Sequence, residues 1–162
     1  MTLTTTAAPI VFKRLDAAAP PPRRAHPGDA GVDLTAHRLK LPGGDMVDFQ
    51  HATIRPGDMV TFGTGIAVQV PRGYVGLLFA RSSTGVKKRL DPANAVGVID
   101  HGYTGEVMVG LRNTSTDART VTQGDRVVQL VTVPVNLDQW HEVDTLGESE
   151  RGEGGFGSTG LN

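Results

Sequence analysis

The residues most able to do chemistry lie in Asn-Ala-Val-Gly-Val-Ile-Asp-His-Gly-Tyr-Thr-Gly-Glu, positions 94–106. Asp100 ends an apolar run and Tyr103 follows across a glycine-containing turn, so one tight β-hairpin projects a carboxylate and an aromatic ring. The carboxylate can take a proton from water as a general base. The hairpin's unpaired backbone groups can read the Watson–Crick edge of a pyrimidine while Tyr103 packs on a sugar. Ala80-Arg81-Ser82-Ser83 adds a guanidinium able to fork onto phosphate oxygens and two hydroxyls at a possible helix start. Taken alone, that tetrapeptide also reads as a helix cap beside a surface arginine. Asp33, in Ala-Gly-Val-Asp-Leu, is a second carboxylate held between apolar neighbours, and that stretch alone is also common turn chemistry. In Gly-Asp-Arg-Val-Val-Gln-Leu (124–130), strand alternation predicts Asp125, Val127 and Gln129 on one face. Gln129 would then sit among core positions, either satisfied structurally or reaching a ligand. The last dozen residues, 151–162, hold five glycines with Arg151, Phe156, Ser158 and Thr159. Once ordered, such a tail offers a cation, a stacking face, hydroxyls and many backbone N–H groups, although a frayed terminus has a similar composition.

These groups need a scaffold, and the remaining sequence predicts strands. Short β-branched runs at 10–12, 59–62, 66–70, 74–79 and 127–133 are separated by turn signals at Arg55-Pro56-Gly57-Asp58, Pro71-Arg72-Gly73 and Gln123-Gly124-Asp125. The expected fold is all-β, a single-domain jelly-roll sandwich with a core over 1–146 and a flexible Gly-rich arm over 147–162. The only predicted helix follows Ser82 or Ser83 and runs a turn or two through Val86 to Leu90. Residues 17–24, with three consecutive prolines, read as extended connecting chain, and Gly43–Thr53 as a surface loop or hairpin excursion. The 162 residues are 38% hydrophobic, enough for one core. There is no cysteine, which excludes a disulfide framework and thiol catalysis. A net charge of −1 gives no global attraction to nucleic acid or membrane, so an anion must be met by a local site. No apolar run approaches a membrane span and no signal peptide is evident, so a cytoplasmic location is expected.

In order, AGVDL, ARSS, NAVGVIDHGYTGE, GDRVVQL and RGEGGFGSTG resemble the five motifs of the trimeric deoxyuridine triphosphatases, from about residue 10 to 160. The resemblance implies a jelly-roll subunit, a homotrimer with shared active sites, and Mg²⁺-assisted hydrolysis of dUTP to dUMP and pyrophosphate. It implies that Asp100 activates the attacking water and that Tyr103 underlies the deoxyribose, excluding a 2′-hydroxyl. Asn94, with the Gly97, Val98 and Ile99 backbone, would recognise uracil. Arg81, Ser82, Ser83 and Gln129 would contact phosphates, and Asp33 would lie near the phosphate and metal region. From the tail, Phe156 would cover uracil, and Arg151, Gly155, Ser158 and Thr159 the phosphates. Mg²⁺ takes most of its non-water ligands from substrate phosphates, so no dense carboxylate cage is required and no direct protein ligand is assigned. The five histidines (26, 37, 51, 101 and 141) lack ligand spacing for zinc, and His101 reads as an exposed turn residue or a neighbour tuning Asp100.

Two rival readings remain. A deoxycytidine triphosphate deaminase shares the fold, but its catalytic glutamate is expected about where this chain has Gly110. A non-catalytic nucleotide-binding or regulatory protein would keep the fold without needing base, phosphate and tail residues together. Two departures from the family pattern stand out: the long 43–53 stretch, and Ala80 where many members carry proline or glycine.

Overall fold

The computed structural model describes residues 9–149 together with Gly152. Twelve strands and one helical segment order along the chain as β1 (Val11–Arg14), β2 (Val32–Thr35), β3 (Arg38–Lys40), β4 (Met46–Val47), β5 (His51–Ile54), β6 (Met59–Gln69), β7 (Tyr74–Ala80), the helical turn Ser83–Lys87, β8 (Leu90–Pro92), β9 (Gly97–Ile99), β10 (Glu106–Asn113), β11 (Arg119–Thr122) and β12 (Arg126–Pro134). No helix among the described residues is long and apolar enough to cross a membrane.

One sheet runs β4-β3-β6-β10-β8 with β1 also on β6, a second runs β2-β12-β7-β9, and β11 pairs with β5. Every strand pairing is antiparallel. The alternation of β10 turns Val107, Val109 and Leu111 inward against Phe62 and Ile66 of β6, Leu78 of β7, Val128 of β12 and Leu34 of β2, so a single core closes the sandwich. Phe49 tilts against Phe62 with centroids 5.4 Å apart. At the end of β10 the buried Asn113 gives both N–H groups to Ile54 and Asp117 carbonyls at 2.8 Å and accepts from Ser115, so its polarity is met.

The two runs expected at 59–62 and 66–70 form one long strand, β6, through a bulge: Glu106 pairs with Ala67 and Met108 with Gly63. Thr64, Gly65 and Ile66 therefore stand opposite Val107 alone. Gly65 is required here, with φ at +68° and a Cβ that would lie 2.5 Å from Ala19 Cβ. The same point is where β6 changes partner, pairing with β3 up to Gly63 and with β1 from Ile66. The predicted connecting chain at 17–24 is pinned beside it: Asp16 accepts from His37 Nε2 at 2.9 Å, from Arg38 at 3.1 Å and from the Ala18 amide, and Ala19 is buried.

The 43–53 stretch is a hairpin excursion, β3 turning into β4 before β5 crosses to β11. The helical segment is shorter than expected and of π type, ending at Lys87. Ser82 precedes it without a side-chain cap, so the serine-capping expectation fails. Beyond β12 the chain leaves the body, and Leu137, Val143 and Leu146 are exposed while Trp140 is 99% exposed.

Candidate active site

The four-stranded sheet carries both groups of candidate residues, at opposite edges. On the β2 edge, Asp33 is buried and its two carboxylate oxygens are both taken: Oδ1 accepts from Arg81 Nε at 2.7 Å, and Oδ2 from Arg126 Nη1 at 3.0 Å. Arg81 Nη1 also donates to Ser83 Oγ at 3.2 Å, and among the described residues Nη2 has no hydrogen-bond partner. Asp33 thus holds two guanidiniums side by side, Arg81 with donors left over for an anion.

Gln129 stands beside this group, but not by the expected route. A bulge between Arg126 and Val128 breaks the alternation, so Val127 and Val128 are both buried and the predicted Asp125-Val127-Gln129 face does not form. Val128 and Leu130 face the core, and Gln129, paired with Asp33, lies on the other side with its amide donating to the Ala80 carbonyl at 3.3 Å. The glycine of Ala-Gly-Val-Asp-Leu is explained by this amide, because a Cβ on Gly31 would collide with Gln129 Oε1. Asp33, Arg81, Ser82, Gln129 and Gly31 line one open cavity of about 340 Å³ with Ala25, Asp29, Ala30 and Val131.

On the β9 edge, a second cavity of about 220 Å³ is lined by Asn94, Gly97, Val98, Ile99 and Tyr103 with Leu78, Glu106 and Met108. All the described residues expected to hold a nucleoside are therefore together, but not on the expected β-hairpin: β9 pairs with β7 and β10 with β6 and β8, so residues 100–105 form a turn that crosses from one sheet to the other. Gly97 admits the close approach of β7, where a Cβ would meet Leu78 Cβ at 3.0 Å. Gly105 lies under the tyrosine ring, where a Cβ would be 2.8 Å from its Cζ. Asp100, next to Ile99, is exposed; its carbonyl accepts the Tyr103 amide at 3.0 Å, and among the described residues its carboxylate makes no hydrogen bond. His101 is exposed as expected but tethered, with Nδ1 2.6 Å from the Val70 carbonyl.

The two cavities share no residue. Asp33 pairs with Gln129 and Gln129 with Phe79, whereas Ile99 pairs with Gly76. Asp100 and Asp33 are thus three strand spacings apart across the sheet and about four residues apart along it, on the order of 20 Å. Arg151, Gly155, Phe156, Ser158 and Thr159 lie outside the described residues.

Sequence reasoning missed Arg126, Glu106 and the anchoring role of His101. Arg126 had a signal, a second guanidinium three residues before Gln129 in the same motif. Glu106 and His101 had none, because their partners, Gly65 and Val70, are distant in sequence.

A sequence model of the dUTPase family matches residues 17–160. The chain is 43% identical over 152 residues to the deoxyuridine 5'-triphosphate nucleotidohydrolase of Rhodococcus erythropolis, covering 93% of this chain and 85% of that one. It is 42% identical over 154 residues to that of Desulfitobacterium hafniense, covering 94% and 95%. Among solved structures, Staphylococcus bacteriophage 80alpha dUTPase with dUpNHpp matches with a TM-score of 0.75 at 28% identity, covering 94% of this chain and 99% of that one. A mutant dUTPase from phage phi11 of S. aureus, described for the coordination of a structural Mg(II) ion, shares the fold at a TM-score of 0.72 and 23% identity, with 87% and 100% covered. By family match and by identity over nearly its whole length, the chain belongs to the dUTPase family.

Proposed function

We propose that this chain hydrolyses dUTP to dUMP and pyrophosphate at sites shared between the subunits of a homotrimer. The observation that carries the shared site is the separation of Asp100 from Asp33 and Arg81. A triphosphate is too short to present its reacting phosphorus to one and its outer phosphates to the other across that distance. Packing the β9 edge of one copy against the β2 edge of the next brings the two halves together, and a closed ring makes each copy serve two sites.

In the nucleoside half, β9 is a sheet edge, so its outward N–H and C=O groups have no strand partner. They match uracil, whose N3–H donates and whose O4 accepts; cytosine reverses both. Tyr103 lies against the sugar and leaves no space for a 2′-hydroxyl. Asp100 follows Ile99 directly, so its carboxylate sits at the sugar's 5′ end, next to the α-phosphate. There it takes a proton as water oxygen bonds to the α-phosphorus and the bond from that phosphorus to the bridging oxygen breaks, pyrophosphate leaving with the electron pair. In the other half, Arg81, Ser82, Ser83, Gln129 and Arg126 hold phosphate oxygens, while Asp33 keeps both guanidiniums in place. The arm over 147–162 closes the site, with Phe156 over uracil and Arg151, Gly155, Ser158 and Thr159 on the phosphates.

The donor set fits a Mg²⁺ carried on the substrate: no group of three His, Asp or Glu that could ligate a metal exists among the described residues, and both Asp33 oxygens are engaged by arginines. When bound, the ion neutralises charge on the triphosphate. Arg81, Gln129 and Arg126 would hold it indirectly, through those phosphates.

The deaminase reading is weakened at Gly110, over which Met59 packs so that a Cβ would lie 3.0 Å from its Sδ. No carboxylate stands there to shuttle a proton. The test is a panel of dUTP, dCTP, dTTP and UTP with Mg²⁺, scored for pyrophosphate and ammonia. Pyrophosphate from dUTP, with little from the others, is expected. Ammonia from dCTP would replace this reading by deamination, and tight dUTP binding without pyrophosphate by a non-catalytic role.

A further inference from the structure

The bulge where β6 meets β10 leaves backbone groups without a strand partner, and two of them are satisfied by a side chain of the opposite strand. Thr64 Oγ1 donates to the Val107 carbonyl at 2.7 Å, and the Gly65 amide donates to Glu106 Oε1 at 2.7 Å. The glutamate occupies space that only glycine gives, since a Cβ on Gly63 would collide with Glu106 Oε1. Its reach is thus fixed from both sides, by Gly63 beneath the carboxylate and Gly65 donating to it. On the far side Gly65 is immobilised in turn: its carbonyl accepts the Leu15 amide at 2.8 Å, and Ala19 and His37 crowd its Cα.

The backbone of the same glutamate holds the nucleoside pocket. Tyr103 Oη donates to the Glu106 carbonyl at 2.7 Å, and Glu106 itself lines the cavity with Tyr103 and Asn94. Tyr103 is 40% exposed, so packing alone leaves its ring loosely held. Its position depends on where the Glu106 peptide sits, and that depends on the carboxylate anchored to Gly65.

We propose that Glu106 is a positioning residue that sets the Tyr103 ring, and with it the discrimination of deoxyribose from ribose. The inference rests on the reading above that Tyr103 underlies the sugar. Glu106 contacts no reacting atom. It acts by holding the start of β10, where the turn from β9 ends, at a bulge where strand hydrogen bonds are missing, and small displacements of a positioning group carry large kinetic costs.

The experiment compares Glu106→Ala, Glu106→Asp and Glu106→Gln with Tyr103→Ala, measuring kcat and KM for dUTP and UTP together with the melting temperature. Glutamine keeps an Oε1 acceptor at the same reach, so Glu106→Gln should retain the native KM and dUTP preference. Aspartate keeps the charge but is one methylene too short for Gly65. Glu106→Asp and Glu106→Ala should both raise KM for dUTP about tenfold, change kcat much less, and reduce the preference for dUTP over UTP by about the same factor. Should alanine be too unstable to assay, the aspartate–glutamine pair carries the test. A lower melting temperature with native KM and preference in Glu106→Asp would make the residue merely structural and overturn the inference. If Tyr103→Ala also kept the native preference, the reading of Tyr103 would fall and this inference with it. A collapse of preference in Tyr103→Ala alone would overturn only the role of Glu106.

Discussion

The two halves of the proposed site, on opposite edges of one sheet, are held by different physics. At the β2 edge, position comes from charge: Asp33 is buried and draws Arg81 and Arg126 onto its two oxygens, with Gln129 pressed over Gly31. At the β9 edge, no ion pair holds the turn from β9 to β10 among the described residues; its position comes from backbone, through Tyr103 on the Glu106 carbonyl, His101 at the Val70 carbonyl and the bulge at Gly65. The difference suits the ligand. Phosphates carry charge and tolerate adjustable donors, so a side-chain fork serves them well. A neutral base is distinguished only by donor and acceptor placement, which a fixed backbone supplies better. It also suits Asp100, whose carboxylate is left without a partner among the described residues.

The sharpest way to break this comparison is to remove the unpartnered carboxylate. Asp100→Asn should lower kcat by about 10³-fold, in the range expected for a general base, with dUTP binding largely kept. Near-native turnover would take the base away from Asp100. Next in size is complementation between the halves. Arg81→Ala and Asp100→Asn proteins, each nearly inactive, are mixed and reassembled from denaturant. With random trimers, about a quarter of sites combine an intact Asp100 from one chain with an intact Arg81 from another. Recovery of about a quarter of wild-type activity is expected, and none would mean that both groups act from one chain.

A smaller effect should follow from the charge fork. Asp33→Asn removes charge-assisted bonds to two arginines, each contributing on the order of 1.5–3 kcal/mol. KM for dUTP should rise about tenfold or more in steady-state assays, although the variant is more positive. A fall in KM would show that net charge, not arginine placement, governs phosphate binding. The smallest effect concerns Asp16, beside the bulge that supports the backbone-held half. The hydrogen bond from His37, then that from the Ala18 amide, holds its carboxyl below its ordinary value of 3.8. A lowered folded-state value gives stability that is present above the unfolded value and lost as pH falls through the folded one. The melting temperature of wild type should therefore exceed that of Asp16→Asn near neutral pH, with the gap closing as pH falls below about 3.8. A gap independent of pH would deny the ionised carboxylate this role.

Much of this organisation was legible in the sequence, and the rest was hidden for identifiable reasons. Strands β7 and β12 follow from β-branched runs between turn signals, and Asn94, Gly97 and Tyr103 meet in one cavity because they are close in sequence, although the hairpin expected there is instead a turn between two sheets. Gln129 was predicted on the wrong face because a bulge inserts a residue without any glycine to announce it. The helical turn has no side-chain cap because Ser82, at the cap position, already takes helical backbone angles, φ −54° and ψ −39°, instead of the extended ones from which a serine caps. The separation of Asp100 from Asp33 depends on strand order, which no local pattern encodes.

Trp140, on the segment that leaves β12, is the only tryptophan of the chain and is 99% exposed in the single subunit. An indole in water emits at longer wavelength than one against protein, so the molecule carries its own spectroscopic label at a single defined point. Emission followed on dilution would report whether anything covers that segment, without attaching a dye or altering a residue of either half-site.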